Sequence, residues 1–166
     1  VFDCTLRDIT YVMYNLNPND EEEVACQIDR NTRRDHLAYN LLMSGGDTFA
    51  VRVGDQPIAV FGTAPLNRAC LSVWAVGTAR MPKALSAIGR HLVNVHLPAM
   101  GADGYSSMEA RSHVNHTGAH AWLKFWGAEQ HGGPFEFGTG REKFLLFRWT
   151  VDRLDRIRQG RRRAPQ

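Results

Sequence analysis

His113, His116 and His120 stand three and four residues apart, a spacing that puts three imidazoles on one face of any helix begun by residue 113. Three imidazoles form a zinc ligand set that leaves one coordination position open. Asn115 is a good helix cap, however, and a helix opened there leaves His113 outside; no His-Glu-x-x-His run accompanies the trio. Just upstream, Glu109 lies near Tyr105 and His113 and is the candidate general base of this stretch. A second candidate is Gly77-Thr78-Ala79-Arg80-Met81-Pro82-Lys83-Ala84, where Gly77 and Ala79 are small and Arg80 and Lys83 are cationic. Such a turn at the head of a helix suits an anion, although Pro82 removes one of the amide donors.

Other chemistries lack their residues. Cys4, Cys26 and Cys70 are odd in number and include no Cys-x-x-Cys pair, so they read as free, buried thiols of a reduced compartment and not as a disulfide framework or a cysteine-rich zinc site. Cys70 and Ser72 fall in a strand-like run and make no nucleophile site. No Gly-x-x-x-x-Gly-Lys-Ser/Thr loop and no Gly-x-Ser-x-Gly elbow occurs. His36, His91, His96 and His131 are scattered and suit core, cap or surface roles.

The positive charge is terminal. Arg148 to Gln166 holds seven arginines against two aspartates, whereas the whole chain carries a net charge of only +3. The body is therefore slightly acidic and does not read as a basic nucleic-acid surface. Arg153, Arg156, Arg158, Arg161, Arg162 and Arg163 form a candidate interaction segment, open to three readings: a solvated terminus, a strip that docks on an acidic protein groove, or an arm that contacts phosphates. No aromatic residue interleaves with them, which excludes a base-stacking pattern.

The elements that must position these residues follow from periodicity and punctuation. Residues 6–16 and 20–30 read as short helices around the turn Asn17-Pro18-Asn19-Asp20, with Glu21-Glu22-Glu23 as first-turn acids. A third helix over 33–43 stops at Ser44-Gly45-Gly46. Residues 48–53 and 57–62 flank Gly54-Asp55 as a hairpin, and 70–76 adds a third strand. Leu85, Ile88, Leu92 and Val95 predict a helix that opens near Pro82 and ends near Pro98. A strand over 105–110, a helix from Asn115 or Thr117 to Phe125 closed by Gly127, and strands over 134–137 and 143–151 complete the list. In the helix, Trp122, Leu123 and Phe125 are expected to be buried. In the last strand, Leu145, Phe147, Trp149 and Val151 alternate onto one face.

The 166 residues suit one core, and 43% hydrophobic with 22% charged residues is an ordinary globular balance. Apolar runs break well short of the roughly 20 residues that span a bilayer. The chain opens at Val1-Phe2-Asp3 without methionine or a basic apolar leader, so the start is expected to be trimmed and silent on targeting.

This order of elements resembles the GNAT N-acetyltransferase fold. The stretch Asn115 to Ala128, in which an Asn opens the last long helix and Leu123-Lys124-Phe125-Trp126-Gly127-Ala128 ends it, adds to the resemblance, as does the hairpin Val51 to Gly62. More narrowly, that hairpin, the Trp74 strand, the 82–97 helix, His113 to Thr117 and the exit Gly127-Ala128-Glu129 resemble the small GNAT-like internal virion proteins of T7-like podoviruses. The resemblance implies a mixed α/β domain over residues 1–152, with a central sheet of six to seven strands and helices on both faces, and an arginine-rich tail over 153–166. It implies a noncatalytic virion structural protein, a core or ejection-associated component that docks on portal, core or tail proteins. Its place would be the virion, and the host cytoplasm during assembly. On that reading there is no metal and no cofactor. The alternatives are an acetyl-CoA-dependent N-acetyltransferase, with Gly77, Ala79, Arg80 and Lys83 at the cofactor and Glu109 as base, and a nucleic-acid-associated accessory protein.

Overall fold

The chain is described by a computed structural model over residues 1–29 and 31–152. The arginine-rich segment from Arg153 to Arg163 lies outside the described residues. A short strand β1 (Phe2–Asp3) leads into α1 (Leu6–Tyr14), opened by a capping box in which the Thr5 hydroxyl takes the Asp8 amide and the Asp8 carboxylate takes the Thr5 amide. Asn17 caps α2 (Pro18–Gln27), with Pro18 in the first turn where its missing N–H costs nothing. Next comes α3 (Arg34–Leu42).

Strands β2 (Thr48–Val53), β3 (Gln56–Asn67) and β4 (Cys70–Gly77) form the expected meander, turning at Gly54 with φ +61°. β3 runs five residues beyond the expected end at Gly62 because Thr63, Ala64 and Pro65 stay paired with Val73, Ser72 and Leu71. After β4 come a single 3-10 turn (Met81–Lys83), α4 (Leu85–His91), a π-helical turn (Leu92–His96) and α5 (Leu97–Ala102). The helical run therefore does not stop near Pro98. The Leu97 amide reaches back to Leu92 O in the wider π turn, and Pro98 sits in the first turn of α5. β5 (Ser107–His113), α6 (Thr117–Phe125), β6 (Glu129–Phe137) and β7 (Glu142–Thr150) close the chain.

The seven strands lie in the order β1-β2-β3-β4-β5-β7-β6. All neighbours are antiparallel except β4 and β5, whose parallel pairing requires the helical crossover between them. One face of the sheet packs on α4, α5 and α6 through Phe61, Leu71, Val73, Met108, Phe147 and Trp149; the other packs on α1, α2 and α3 through Ala50 and Val60. Gly127, at φ +95°, ends α6 as expected. Phe125 points outward at 71% exposure, and Trp126 takes the buried place with Leu123. Trp126 lies against Gly89, where a Cβ would come within 1.9 Å of its ring, so α4 and α6 close on each other. Among the described residues no helix is long and apolar enough to cross a membrane.

Candidate active site

Strands β4 and β5 pair only where Cys70–Ser72 meets Ser107–Glu109, and then they part. β4 continues to Gly77 and β5 to His113. Buried strand amides cannot be left without acceptors, so something must meet the parted ends. Helix α2 does so. Asp20 Oδ2 accepts the Gly77 amide at 2.6 Å, and Glu23 Oε1 accepts the His113 amide. The Gly77 carbonyl accepts from both the backbone and the side-chain amide of Asn17, each at 2.9 Å. Two carboxylates three residues apart on one helix thus cap the two diverging strands and hold the sheet open between them.

The opening is a cavity of about 480 Å³. Its apolar part is lined by Phe61, Val73, Ile88, Leu92, Trp122 and Leu123, and Trp122 Nε1 donates to Leu85 O at 3.1 Å across the helix pair. The polar end holds Asp20, Glu23 and His116, with one ligand atom from each lying within 4.8 Å of the others. Ser112, also on the wall, is buried, and its hydroxyl lies on the side of Glu23 and helps to hold that carboxyl down.

Burial pushes the Asp20 carboxyl up to about 6, although the Gly77 amide and the His116 charge both oppose this. His116 Nδ1 lies 3.2 Å from Glu23 Oε2, and that hydrogen bond raises the imidazole above its ordinary value. Burial acts against ionisation of Glu23, yet the bonds from His116 and from the His113 amide hold its carboxyl below the usual range. His116 Nε2 faces Asp20 Oδ1 at 4.0 Å. At neutral pH the polar end therefore holds an ionised Asp20 beside a His116 whose protonated form Glu23 favours.

The three histidines of the sequence do not converge. His113 ends β5 and packs edge-on against Phe144, with ring centroids 5.4 Å apart. His120 Nε2 bonds the His113 carbonyl at 3.0 Å while its ring lies on Phe147. The cause is the turn over residues 114–116, which breaks the helical phase before α6 begins. His116, not Asn115 or Thr117, is the residue that precedes the helix, and it caps nothing because its ring is drawn to Glu23. Glu109 does not line the cavity; its two oxygens are on Arg111 at 2.9 Å and Arg148 at 3.0 Å.

Ala79 lies on the cavity wall, and Gly77, Arg80 and Lys83 stand beside it. The amides of Gly77, Thr78, Arg80, Met81, Lys83 and Ala84 already donate to Asp20, Ile58, the Thr78 hydroxyl, Thr78, Arg80 and Met81 respectively. Pro82 has no amide, and the Met81 side chain covers Gly77 so closely that a Cβ there would lie 2.6 Å from it. Arg80 donates to Gln56 at 2.8 Å.

No protein-family model matches the chain. No curated protein matches it in sequence. Solved structures resemble it in fold. The structure of smu.2055 from Streptococcus mutans UA159 superposes with a TM-score of 0.69 at 15% identity, over 90% of this chain and 97% of that one. That of yncA from Salmonella typhimurium, with its cofactor acetyl-CoA, gives 0.65 at 16% identity over 90% and 92%. This chain has the GNAT-like fold. A GNAT superfamily phosphinothricin acetyltransferase from Sinorhizobium meliloti, in complex with AcCoA, gives 0.62 at 14% identity over 89% and 85%.

Asn17, Asp20 and Glu23 were missed as site residues, since their types and spacing are those of any capped helix with an acidic first turn. The signal within the sequence was the 20–23 spacing, but nothing local marked that face of α2 as buried.

Proposed function

We propose that the protein transfers an acyl group from a thioester to a primary amine, with the opening between β4 and β5 as the reaction chamber. The observation that carries this reading is a cavity that joins an apolar lining to a titratable end made of buried Asp20 and half-buried His116 and Glu23. The acetyl-CoA carried by two of the like-folded proteins favours the enzymatic alternative over a virion component.

A thioester supplies the activated acyl carbon. In the transfer a C–N bond forms as a C–S bond breaks; one proton leaves the amine and one arrives at sulfur. Asp20, ionised above about pH 6, is the proton acceptor at the polar end. His116, whose protonated form is favoured and oriented by Glu23, is the proton donor beside it. Phe61, Ile88 and Trp122 keep water from the apolar part. Glu109, pinned by two guanidiniums, takes no part.

The test is acetyl transfer from radiolabelled acetyl-CoA to a panel of primary amines at pH 7.5, with Asp20→Asn as control. Asn retains an oxygen for the Gly77 amide, so the strand end stays capped. Transfer by the native chain and a loss of about 10²–10⁴-fold in the variant are expected. Equal rates for the two proteins would rule out Asp20 as the base, and no transfer to any amine would remove the reading.

A further inference from the structure

Two imidazoles lie in the seam between the helical crossover and the strands β2 and β3. Residues five apart stand about 140° apart around an α-helix. The π turn over Leu92–His96, closed by the Leu97 amide on Leu92 O, winds wider and carries His96 round to the side of His91. Both rings then meet Phe49, with centroids 4.4 Å away for His91 and 6.0 Å for His96. His91 also packs edge-on to Phe61 at 5.6 Å. His96 is 5% exposed and His91 is half-buried, and the Nε2 of each is buried with no protein partner among the described residues. Phe61, Ile88 and Leu92, from the segments that enclose the pair, line the chamber.

Neither ring is placed to carry a charge. A protonated imidazole donates from both nitrogens, and a buried charged donor without an acceptor is costly. β2 and β3 meet the rings with Phe49 and Phe61. The charges that face the pair are Asp47 before β2, Asp103 after α5 and the amino group of Val1 on the His91 side. Asp47 Oδ2 is 3.6 Å from His96 Nδ1, beyond hydrogen-bond reach, and its side chain is 68% exposed. Burial holds both imidazoles below their ordinary value, and for His91 the neighbouring His96 and the Val1 amino group add to this.

We infer that His91 and His96 form an acid-operated latch: with both rings neutral, α4, the π turn and α5 are seated on β2 and β3, and protonation unseats them and opens the apolar wall of the chamber. In the opened segment the imidazoles titrate near their ordinary 6.5, so opening takes up protons. The latch is therefore fully held above pH 6.5 and weakens as the pH falls below it. It acts on the chamber whatever reaction the chamber serves.

Hydrogen exchange of the full-length protein between pH 7.5 and 5, read by mass spectrometry and corrected for the intrinsic rate, tests the latch. Uptake of one to two protons makes opening of residues 85–102 rise by up to about 10- to 100-fold per pH unit below 6.5. Helix α1 (Leu6–Tyr14) should keep its protection over the same range. His91→Phe, at the half-buried position, should lower the slope, and His91→Phe with His96→Phe, which keeps aromatic rings but no titrating group, should abolish it. Should the double variant fail to fold, the native slope and the single variant decide. A flat profile in the native chain, a slope unchanged in His91→Phe, or loss of protection in α1 at the same pH overturns the inference.

Discussion

Asp20 is ionised at neutral pH only against a cost. Its carboxyl is raised to about 6 from an ordinary value near 3.8, so the folded state binds a proton that the unfolded state has released. Stability contributed by this group is complete below pH 4, falls as pH rises towards 6, and stays low above that. Asp20→Asn removes the penalty while retaining the acceptor for Gly77. At pH 7.5 the variant should be more stable than the native chain by about 1–3 kcal/mol, with the gain vanishing near pH 4. Urea titrations at both pH values measure it. Stabilisation with loss of transfer is the signature of a group placed for reactivity and not for folding. His116 provides a second test at this scale. Its Nδ1 bond to Glu23 raises its titration, so the imidazole proton signals in an NMR titration should show a midpoint above 6.5 that moves down in Glu23→Gln. An unmoved midpoint would contradict the pairing.

Three helices hold the chamber, one on one face of the sheet and two on the other. Helix α2 takes the strand ends through Asn17, Asp20 and Glu23, while α4 and α6 close over the apolar part through Gly89 and Trp126. Gly89→Ala would put a Cβ 1.9 Å from the Trp126 ring, so the helices must separate. A loss of about 1–3 kcal/mol is expected in chemical denaturation. Asn17→Ala removes a helix cap and one of the two donors to the Gly77 carbonyl, with an expected cost of about 1–2 kcal/mol. The meander, the last strand and most helices were legible in the sequence because alternation, Gly54 and Gly127 each act locally. β5 (Ser107–His113) and β6 (Glu129–Phe137) instead run beyond the expected 105–110 and 134–137 because pairing with β7 extends them. The break in phase at residues 114–116 was half legible. Asn115 warned that His113 would lie outside the helix, but that His116 would turn to Glu23 depends on a residue 93 positions away. The burial of Asp20 was not legible at all. Its local context is that of an exposed first turn, and only the packing of α2 on the ends of β4 and β5 makes it 2% exposed.

Over the whole molecule, the arrangement is one sheet opened at one place. The seven strands are joined by five antiparallel ladders and one parallel pair, and that pair is the one that parts. The GNAT-like fold thus places the chamber by topology, while the residues of this chain decide what the chamber holds. The central claim is that the opening between β4 and β5 binds a thioester. Ala119 on α6 lines the cavity and is only half-buried, so Ala119→Trp fills the space with little strain on the core. The decisive measurement is a calorimetric titration of native and Ala119→Trp protein with acetyl-CoA, after thermal melts have shown that both are folded. The account predicts saturable one-site binding in the micromolar range for the native chain, weakened at least about tenfold in the variant, which corresponds to about 1.4 kcal/mol. No heat up to millimolar ligand, or equal binding by the two proteins, would contradict it.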